Sequence, residues 1–504
     1  MGRSAMLEKE VKFAAPIALA LPDLGHLVGR TVRLPEQQLV TRYFDTRDRR
    51  LWQQGMTLRH RRTEVQEDGT WTLKLPHASE GPALERTEVS WTGSSNEIPT
   101  DVTDLLRGVV RREPLGQLTT LETIRQRLVL CDDEDNEVAE LDDDVVIVVG
   151  GPRDGARFRQ VELEFRGNGW SGKRVLRRLQ KAGARVEKNT KLARAIGLPR
   201  LSSPNPPVDK RSSVADLVRA CLLSSVDRLV AHDWQLRLAL PEPTENDVHQ
   251  ARVATRRLRS DLKTFGTVLD PVWLQHVRSE LKWLGGVLGE LRDLDVLSEG
   301  LSDPPLAVQQ RLAVRRIEAG RRLAEVLASR RYVDLVDRLH AASELLPLAA
   351  GAENEAGRLA VDVLPSLVAA RWRAVRRQVR RAGSHPSPPQ LHRIRIKSKQ
   401  LRYAAEAATP AIGKPARRTA SAAEHVQTVL GKHHDAVSAE EWLRDEWTGD
   451  PSTGAHAVMS PAVSFEVGRL VAEARQRQRK ARRQWKAGWA RLRNPKRRRW
   501  FARS

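Results

Sequence analysis

The feature that most constrains this 504-residue chain is a period-two alternation of charge in its first 200 residues. Glu8, Glu10 and Lys12 alternate with Leu7, Val11 and Phe13. Arg59 and Arg61 follow Leu58, and Thr72 and Lys74 alternate with Trp71, Leu73 and Leu75. Arg86 and Glu88 alternate with Val89 and Trp91, and Arg125 and Arg127 with Ile124 and Leu128. Glu140 and Asp142 flank Leu141, while Glu162 and Glu164 alternate with Val161, Leu163 and Phe165. In a strand, residues two apart point the same way, so each segment presents its charges on one face, as a pair in every segment but Thr72/Lys74. One such strand is an ordinary solvated face. Seven of them, with cation pairs and carboxylate pairs largely on separate strands, suit a sheet closed with these faces inward. Unpaired buried charge is strongly penalised, so the lumen then calls for a charged guest. A polyanion with a divalent metal would satisfy both sets.

These residues resemble the CYTH family, the triphosphate tunnel metalloenzymes. Glu8-Lys9-Glu10-Val11-Lys12 fits the family's ExExK signature. It is followed in order by Tyr43-Phe44-Asp45-Thr46, the segments at 58–61, 72–74, 86–88, 125–127, 140–142 and 162–164, and a late Thr190-Lys191 where the family usually has Ser-Lys. The resemblance implies an eight-stranded antiparallel tunnel that binds a linear triphosphate. It implies Mg²⁺ or Mn²⁺ on Glu8, Glu10, Asp142, Glu162 and Glu164, since hard ions take oxygen ligands. Phosphate oxygens would fall to Lys12, Arg59, Arg61, Lys74, Arg86, Arg125, Arg127 and Lys191. Arginine forks match phosphate in a bidentate way. Catalysis would centre on Glu8, Glu10 and Lys12. Hydrolysis of inorganic triphosphate ranks first. Thiamine triphosphatase, adenylate cyclase and a catalytically idle binding protein are the alternatives. The acidic stretch 132–136 lacks the spacing of a calcium loop and is expected to be a hairpin turn.

The chain carries 86 Lys+Arg against 63 Asp+Glu, a formal charge of +23. Residues 1–200 contribute 33 and 30, and residues 201–504 contribute 53 and 33, so +20 lies in the second part. From Val214 the pattern is long, Ala/Leu/Arg-rich and helical, and it repeats. VHQARVATRRLR at 248–259 aligns with LHRIRIKSKQLR at 391–402, an offset of 143. VLGELRD at 287–293 aligns with VLGKHHD at 429–435, an offset of 142. His249, Arg252, Arg256 and Arg259 form one helical stripe that Lys263 extends, and His392, Arg395, Lys399 and Arg402 repeat it. Between Arg371 and Arg402 there are 11 cations and no carboxylate.

These motifs resemble the CHAD family, the conserved-histidine α-helical domain. That implies two four-helix bundles around a basic cavity that binds inorganic polyphosphate. The contacts would be His249, Arg252, Arg256, Arg259, His392, Arg395, Lys399 and Arg402. The fold class expected is thus a multidomain α+β chain. It comprises a CYTH tunnel at 1–200, a Pro/Ser-rich linker at 201–212, a duplicated CHAD domain at 213–490 and a basic tail at 491–504. The tail is expected to be a mobile electrostatic arm. Two distant cysteines, Cys131 and Cys221, exclude a disulfide framework or cysteine zinc site. No apolar run is long enough to span a bilayer, so the expected setting is cytoplasmic, with polyphosphate granules as the place of association. Basic charge alone does not separate polyphosphate from nucleic acid. With 5% aromatic residues, no stacking platform singles out nucleic acid as a specific partner.

Overall fold

The computed structural model describes residues 4–63, 68–76, 84–166, 169–198, 207–448 and 460–502. The chain divides into two compact units, residues 1–203 and 204–504. Residues 201–206 of the expected linker and the helix break expected at 449–454 lie outside the described residues.

Among its described residues the first unit contains ten strands: β1 (Ser4–Ala15), β2 (Arg30–Arg33), β3 (Gln37–Asp45), β4 (Thr57–Thr63), β5 (Gly69–Pro76), β6 (Leu84–Gly93), β7 (Gly116–Cys131), β8 (Glu137–Val149), β9 (Arg157–Phe165) and β10 (Arg185–Glu187). Because β1 pairs with both β6 and β9, eight strands close in the order β1-β6-β5-β4-β3-β7-β8-β9, all antiparallel. The short β2 and β10 add to β7 and β1. Four helices accompany the barrel: α1 (Arg50–Gln53), α2 (Thr100–Val110), α3 (Lys173–Lys181) and α4 (Lys191–Ile196). The acidic stretch after β7 is the expected hairpin turn. Asp132 Oδ1 there accepts the backbone N–H groups of Glu134 and Asn136.

Register decides which face is which. Lys12 lies opposite Glu162, Glu162 opposite Asp142, and Asp142 opposite Arg127. Val11, Phe13, Leu141, Val161 and Leu163 therefore share the other face. They form a core with Val175 and Leu179 of α3. A one-residue slip would exchange the two faces, so this apolar coat holds the charges inside. The charged face itself turns apolar farther along. Tyr43, Leu121, Val146, Val148 and Phe158 pack there against Leu192, Ala195 and Ile196 of α4.

The second unit is all-α: α5 (Val214–Ala239), α6 (Glu245–Thr264), α7 (Pro271–Gly300), α8 (Leu306–Ala328), α9 (Arg330–Glu344), α10 (Glu353–Gly357), α11 (Ala360–Ala382), α12 (Pro388–Ala407), α13 (Thr409–Ile412), α14 (Lys414–Thr448) and α15 (Pro461–Leu492). The helix starts are legible. Ser213 with Asp216 and Ser387 with Gln390 form capping boxes for α5 and α12. The repeat appears as equivalent antiparallel neighbours: α5–α6–α7 in one half, α11–α12–α14 in the other, with α8 and α15 completing the two bundles. The halves meet through α6 against α12 and α7 against α14. The first half adds α9, which packs on α5, α7 and α8.

The basic tail differs from expectation: it is docked. Phe501 is buried, Trp500 Nε1 donates to Thr419 Oγ1 at 3.1 Å, and Thr419 donates onward to the Arg497 carbonyl at 2.9 Å. Two aromatic residues within three positions supply the apolar area that a purely basic arm lacks.

One close approach tests the helical packing. A methyl group at Gly320 in α8 would lie 1.8 Å from the Pro241 carbonyl oxygen. The backbone there must move to admit it, and overpacking of this kind costs about 1–3 kcal/mol or more. Gly320→Ala should lower the calorimetric transition of the helical unit by several degrees and leave that of the barrel in place. An unchanged helical transition would refute this packing.

Candidate functional sites: a charged tunnel and a cationic cavity

Inside the barrel the cations and carboxylates interleave and satisfy one another, rather than occupying separate parts of the lumen. The Lys74 ammonium bridges Glu8 at 2.6 Å and Glu88 at 2.5 Å. Lys12 lies 2.9 Å from Glu10 and 3.6 Å from Glu162. Arg125 makes a fork onto Asp144 at 2.8 and 2.7 Å and also reaches Asp142. Lys191 joins Asp144 at 2.7 Å and contacts Glu162. Arg127 meets Glu140 at 2.5 Å, and Arg59 stands 3.6 Å from Glu88. Antiparallel closure sets cation strands directly opposite carboxylate strands, so pairing across strands is the cheapest state of the lumen.

Thr190 keeps a hydroxyl where the family usually has serine. Its hydroxyl accepts the Ala193 N–H at 3.1 Å and caps α4. Lys191 is thereby the first helical residue, with its side chain buried against Asp144 and Glu162.

Two expected phosphate ligands have no carboxylate partner among the described residues. Arg86 shares the face of Glu8, its register partner. Arg61 donates from Nε to Thr41 Oγ1 at 3.2 Å. Burial, with Arg59 and Arg125 adding repulsion, pushes the Arg61 guanidinium down to about 10.

The carboxylates show the opposite imbalance. Burial, with Glu8 and Asp142 beside it, pushes Glu164 up to about 7. Burial and then Asp144 push Asp142 up to about 6. Burial also raises Glu8, although Lys74 opposes it. For Glu10 and Glu162 burial is outweighed by lysines, and both are held low. Asp142 Oδ1 is buried without a hydrogen bond.

An all-oxygen donor set with excess negative charge suits a hard divalent cation. Among the described residues, however, no three Asp, Glu, His or Cys side chains converge at one point to hold an ion. The physical reason is that Lys12, Lys74 and Lys191 occupy the gaps between Glu8, Glu10, Glu88, Asp144 and Glu162. The donor chemistry of these carboxylates fits such a cation.

Asp144, fully buried between Arg125 and Lys191, was not among the expected ligands. Its signal was present: it continues the inward alternation of Glu140 and Asp142 by two residues. Glu88 likewise emerges as the partner of Lys74 and Arg59.

In the helical unit the two repeated stripes meet where α6 crosses α12. Between α6, α7 and α12 lies a cavity of about 780 Å³. Its cations are Arg256, Arg259 and Lys263 from α6, Arg278 and Lys282 from α7, and Lys399 from α12, and no carboxylate lines it. Arg278 and Lys282 escaped the sequence reading, because beside Glu280 they look like an ordinary solvated helix face. Arg256 Nε has no hydrogen bond. Burial, then Arg395, Arg256 and Arg252, pushes the Lys399 amine down to about 6.

The remaining expected contacts divide. Arg252 pairs with Asp293 at 2.7 Å, and Arg395 lies among Asp435, Arg252 and Asp293. The glycines of the second motif pass close to these arginines: Gly289 faces Arg252 and Gly431 faces Arg395. Arg402 is tied to Glu406 at 2.6 Å and Glu424 at 3.0 Å, whereas its repeat equivalent Arg259 opens on the cavity. His392 meets His434 at a tilt of 54° with ring centroids 4.3 Å apart, and His249 lies near Arg292, the repeat equivalent of His434. His433 accepts from Arg482 Nε at 3.2 Å. Burial and neighbouring positive groups push His433 and His434 down to about 4, so both are neutral near pH 7.

Comparison with known proteins agrees with both halves. Residues 6–196 match the CYTH domain and residues 220–444 the CHAD domain. The uncharacterized protein Rv2226 of Mycobacterium tuberculosis is 30% identical over 474 residues, 87% of this chain and 88% of the relative. Among solved structures, the CHAD domain of the plant Ricinus communis is 25% identical at a TM-score of 0.44, covering 57% of this chain and 94% of that one. HpAC1 from Hippeastrum, described as having a dominant triphosphatase activity, is 14% identical at a TM-score of 0.26, covering 37% of this chain and 93% of that one. No helix of the described residues is long and apolar enough to cross a membrane. A closed eight-stranded barrel with a charged lumen, followed by a duplicated helical unit, matches these families in chain order, and the chain is a member of the proteins that join a CYTH domain to a CHAD domain.

Proposed function

We propose that the tunnel hydrolyses a short linear triphosphate, inorganic triphosphate first, and that the helical unit binds inorganic polyphosphate. The observation that carries the first half is the density of cations in one closed lumen. Lys12, Arg59, Arg61, Lys74, Arg125 and Lys191 face inward, Arg61 without a carboxylate partner among the described residues. A triphosphate supplies one anionic chain for all of them, and releases carboxylates that are now occupied by lysine and arginine.

In the reaction, a water oxygen forms a bond to the terminal phosphorus and the bridging P–O bond breaks. Pyrophosphate leaves with the bridging oxygen, orthophosphate carries the water oxygen, and one proton is released. Arginine and lysine neutralise charge on the transferring group and hold it in line, which is where catalysis of phosphoryl transfer arises. Glu8, Glu10, Asp142, Glu162 and Glu164 would hold Mg²⁺ or Mn²⁺, which supplies Lewis-acid polarisation of phosphate oxygens.

The helical half rests on the carboxylate-free cavity. Six cations drawn from three helices repel one another and gain when a polyanion enters. Both proposed ligands are phosphate chains, so joining the units raises the effective concentration of one near the other's binder.

Phosphate release should be measured from inorganic triphosphate, thiamine triphosphate and ATP with Mg²⁺ or Mn²⁺. Glu8→Ala/Glu10→Ala should reduce kcat for inorganic triphosphate by about a hundredfold or more. Equal rates for variant and wild type would overturn the enzymatic reading, and a preference for ATP with cyclic product would move it to cyclisation.

Polyphosphate binding should also report the state of Lys399. A bound polyanion favours the charged amine, so binding takes up a proton above about pH 6. Affinity should then fall as pH rises, by up to about tenfold per unit, and Lys399→Gln should flatten the dependence. Parallel pH profiles for the two proteins would rule out this linkage. Duplex DNA that displaces polyphosphate at equal charge concentration would argue against specific polyphosphate recognition.

A further inference from the structure

The 11-cation run between Arg371 and Arg402 is only partly used by the cavity. Arg371 donates to the Lys263 carbonyl at 2.6 Å, and so belongs to the cavity side of α11. Arg373, Arg376, Arg377, Arg380 and Arg381 do not. At about 100° per residue they fall roughly 140° to 280° around the helix from Arg371, on its opposite side. Among the described residues, these five arginines line a separate open groove of about 620 Å³. All five are exposed, and none makes an ion pair with a carboxylate among the described residues.

The docked tail extends this patch. The Arg498 guanidinium lies over the Trp372 ring, 4.9 Å from its centroid, and Trp372 stacks on Trp489 at 5.3 Å. Burial and then Arg376 lower the Arg498 guanidinium, so Arg498 is held beside the α11 arginines. Arginines without partners, at i, i+3, i+4, i+7 and i+8, repel one another, and helices normally intersperse carboxylates to prevent this.

We propose that this face of α11, with Arg498, is a second and exterior grip for a long inorganic polyphosphate chain, independent of the cavity between α6, α7 and α12. The proposal rests on the polyphosphate reading of the helical unit and adds a site to it. A chain long enough to reach both sites binds at two places, and its second contact is intramolecular. Inorganic polyphosphate is favoured over nucleic acid by the character of the patch. It offers guanidinium groups for phosphate oxygens. Trp372, its nearest aromatic, is buried in the stack on Trp489 and presents no platform for bases.

The test uses the full chain and three variants. The stripe variant carries Arg373→Gln, Arg376→Gln, Arg377→Gln, Arg380→Gln and Arg381→Gln. The cavity variant carries Arg256→Gln and Lys399→Gln, and the third combines both sets. Binding of polyphosphate of roughly one hundred phosphates is titrated at several salt concentrations. The stripe variant should lose about tenfold or more in affinity, with the slope against log salt smaller by about three. The cavity variant should retain residual long-chain binding that the combined variant lacks.

A stripe variant that binds long polyphosphate like wild type would overturn the proposal. So would a stripe variant that loses only duplex DNA, which would assign the face to nucleic acid. If the cavity variant alone matches wild type while the stripe variant weakens, the exterior site stands and the cavity assignment fails. Replacing the five arginines by lysine keeps the charge and should restore most of the affinity. Failure of that rescue, with the fold intact, would also count against a charge-based grip.

Discussion

The first unit depends on the pairing of buried charge across a closed barrel. Isolated ions in a lumen of this kind would be strongly penalised. Here Lys74 lies between Glu8 and Glu88, Lys12 between Glu10 and Glu162, and Arg125 and Lys191 on Asp144. These contacts give each of those buried ions an opposite charge within reach. Under the proposed function, a phosphate chain would take the cations and a divalent ion the carboxylates. The apolar coat formed with α3 prevents the alternative register that would place the charges in water.

The helical unit uses the opposite strategy. Its two stripes converge without enough carboxylates to balance them. Asp293 and Asp435 attend Arg252 and Arg395, and Glu406 and Glu424 take Arg402. Arg256, Arg259 and Lys399 are left facing a cavity that no carboxylate lines. Like charges held together by apolar helix packing store a repulsion that an anion relieves. The low value of Lys399 is the local expression of that repulsion, after burial itself.

Much of this was legible in the chain. The i, i+2 pairs at Glu8/Glu10, Arg59/Arg61, Arg125/Arg127 and Glu162/Glu164 marked the inward face, because a strand permits no other arrangement. The repeat offsets of 143 and 142 anticipated the correspondence of α6 with α12 and α7 with α14. Asp144 and Arg278 were harder to see. The first follows two acidic neighbours that disguise its periodicity, and the second stands on a helix whose charges looked solvated. The tail was misjudged as mobile because its basic composition concealed the anchoring by Trp500 and Phe501.

The sequence by itself determined the two units, the face on which the alternating charges of the barrel strands and the two repeated helical stripes lie, and the uncompensated charge of the second part. Local periodicity and composition suffice for these, since they depend only on the geometry of strands and helices. Only the tertiary structure decided which charges are neutralised. Closure brought β1 against both β6 and β9 and placed lysines between carboxylates. The crossing of α6 and α12 left Arg256 and Lys399 without acidic partners among the described residues, while Arg402 was drawn away to Glu406 and Glu424. Ion pairing falls off within a few ångströms, so it depends on neighbours that are remote in sequence and meet only when the chain is folded.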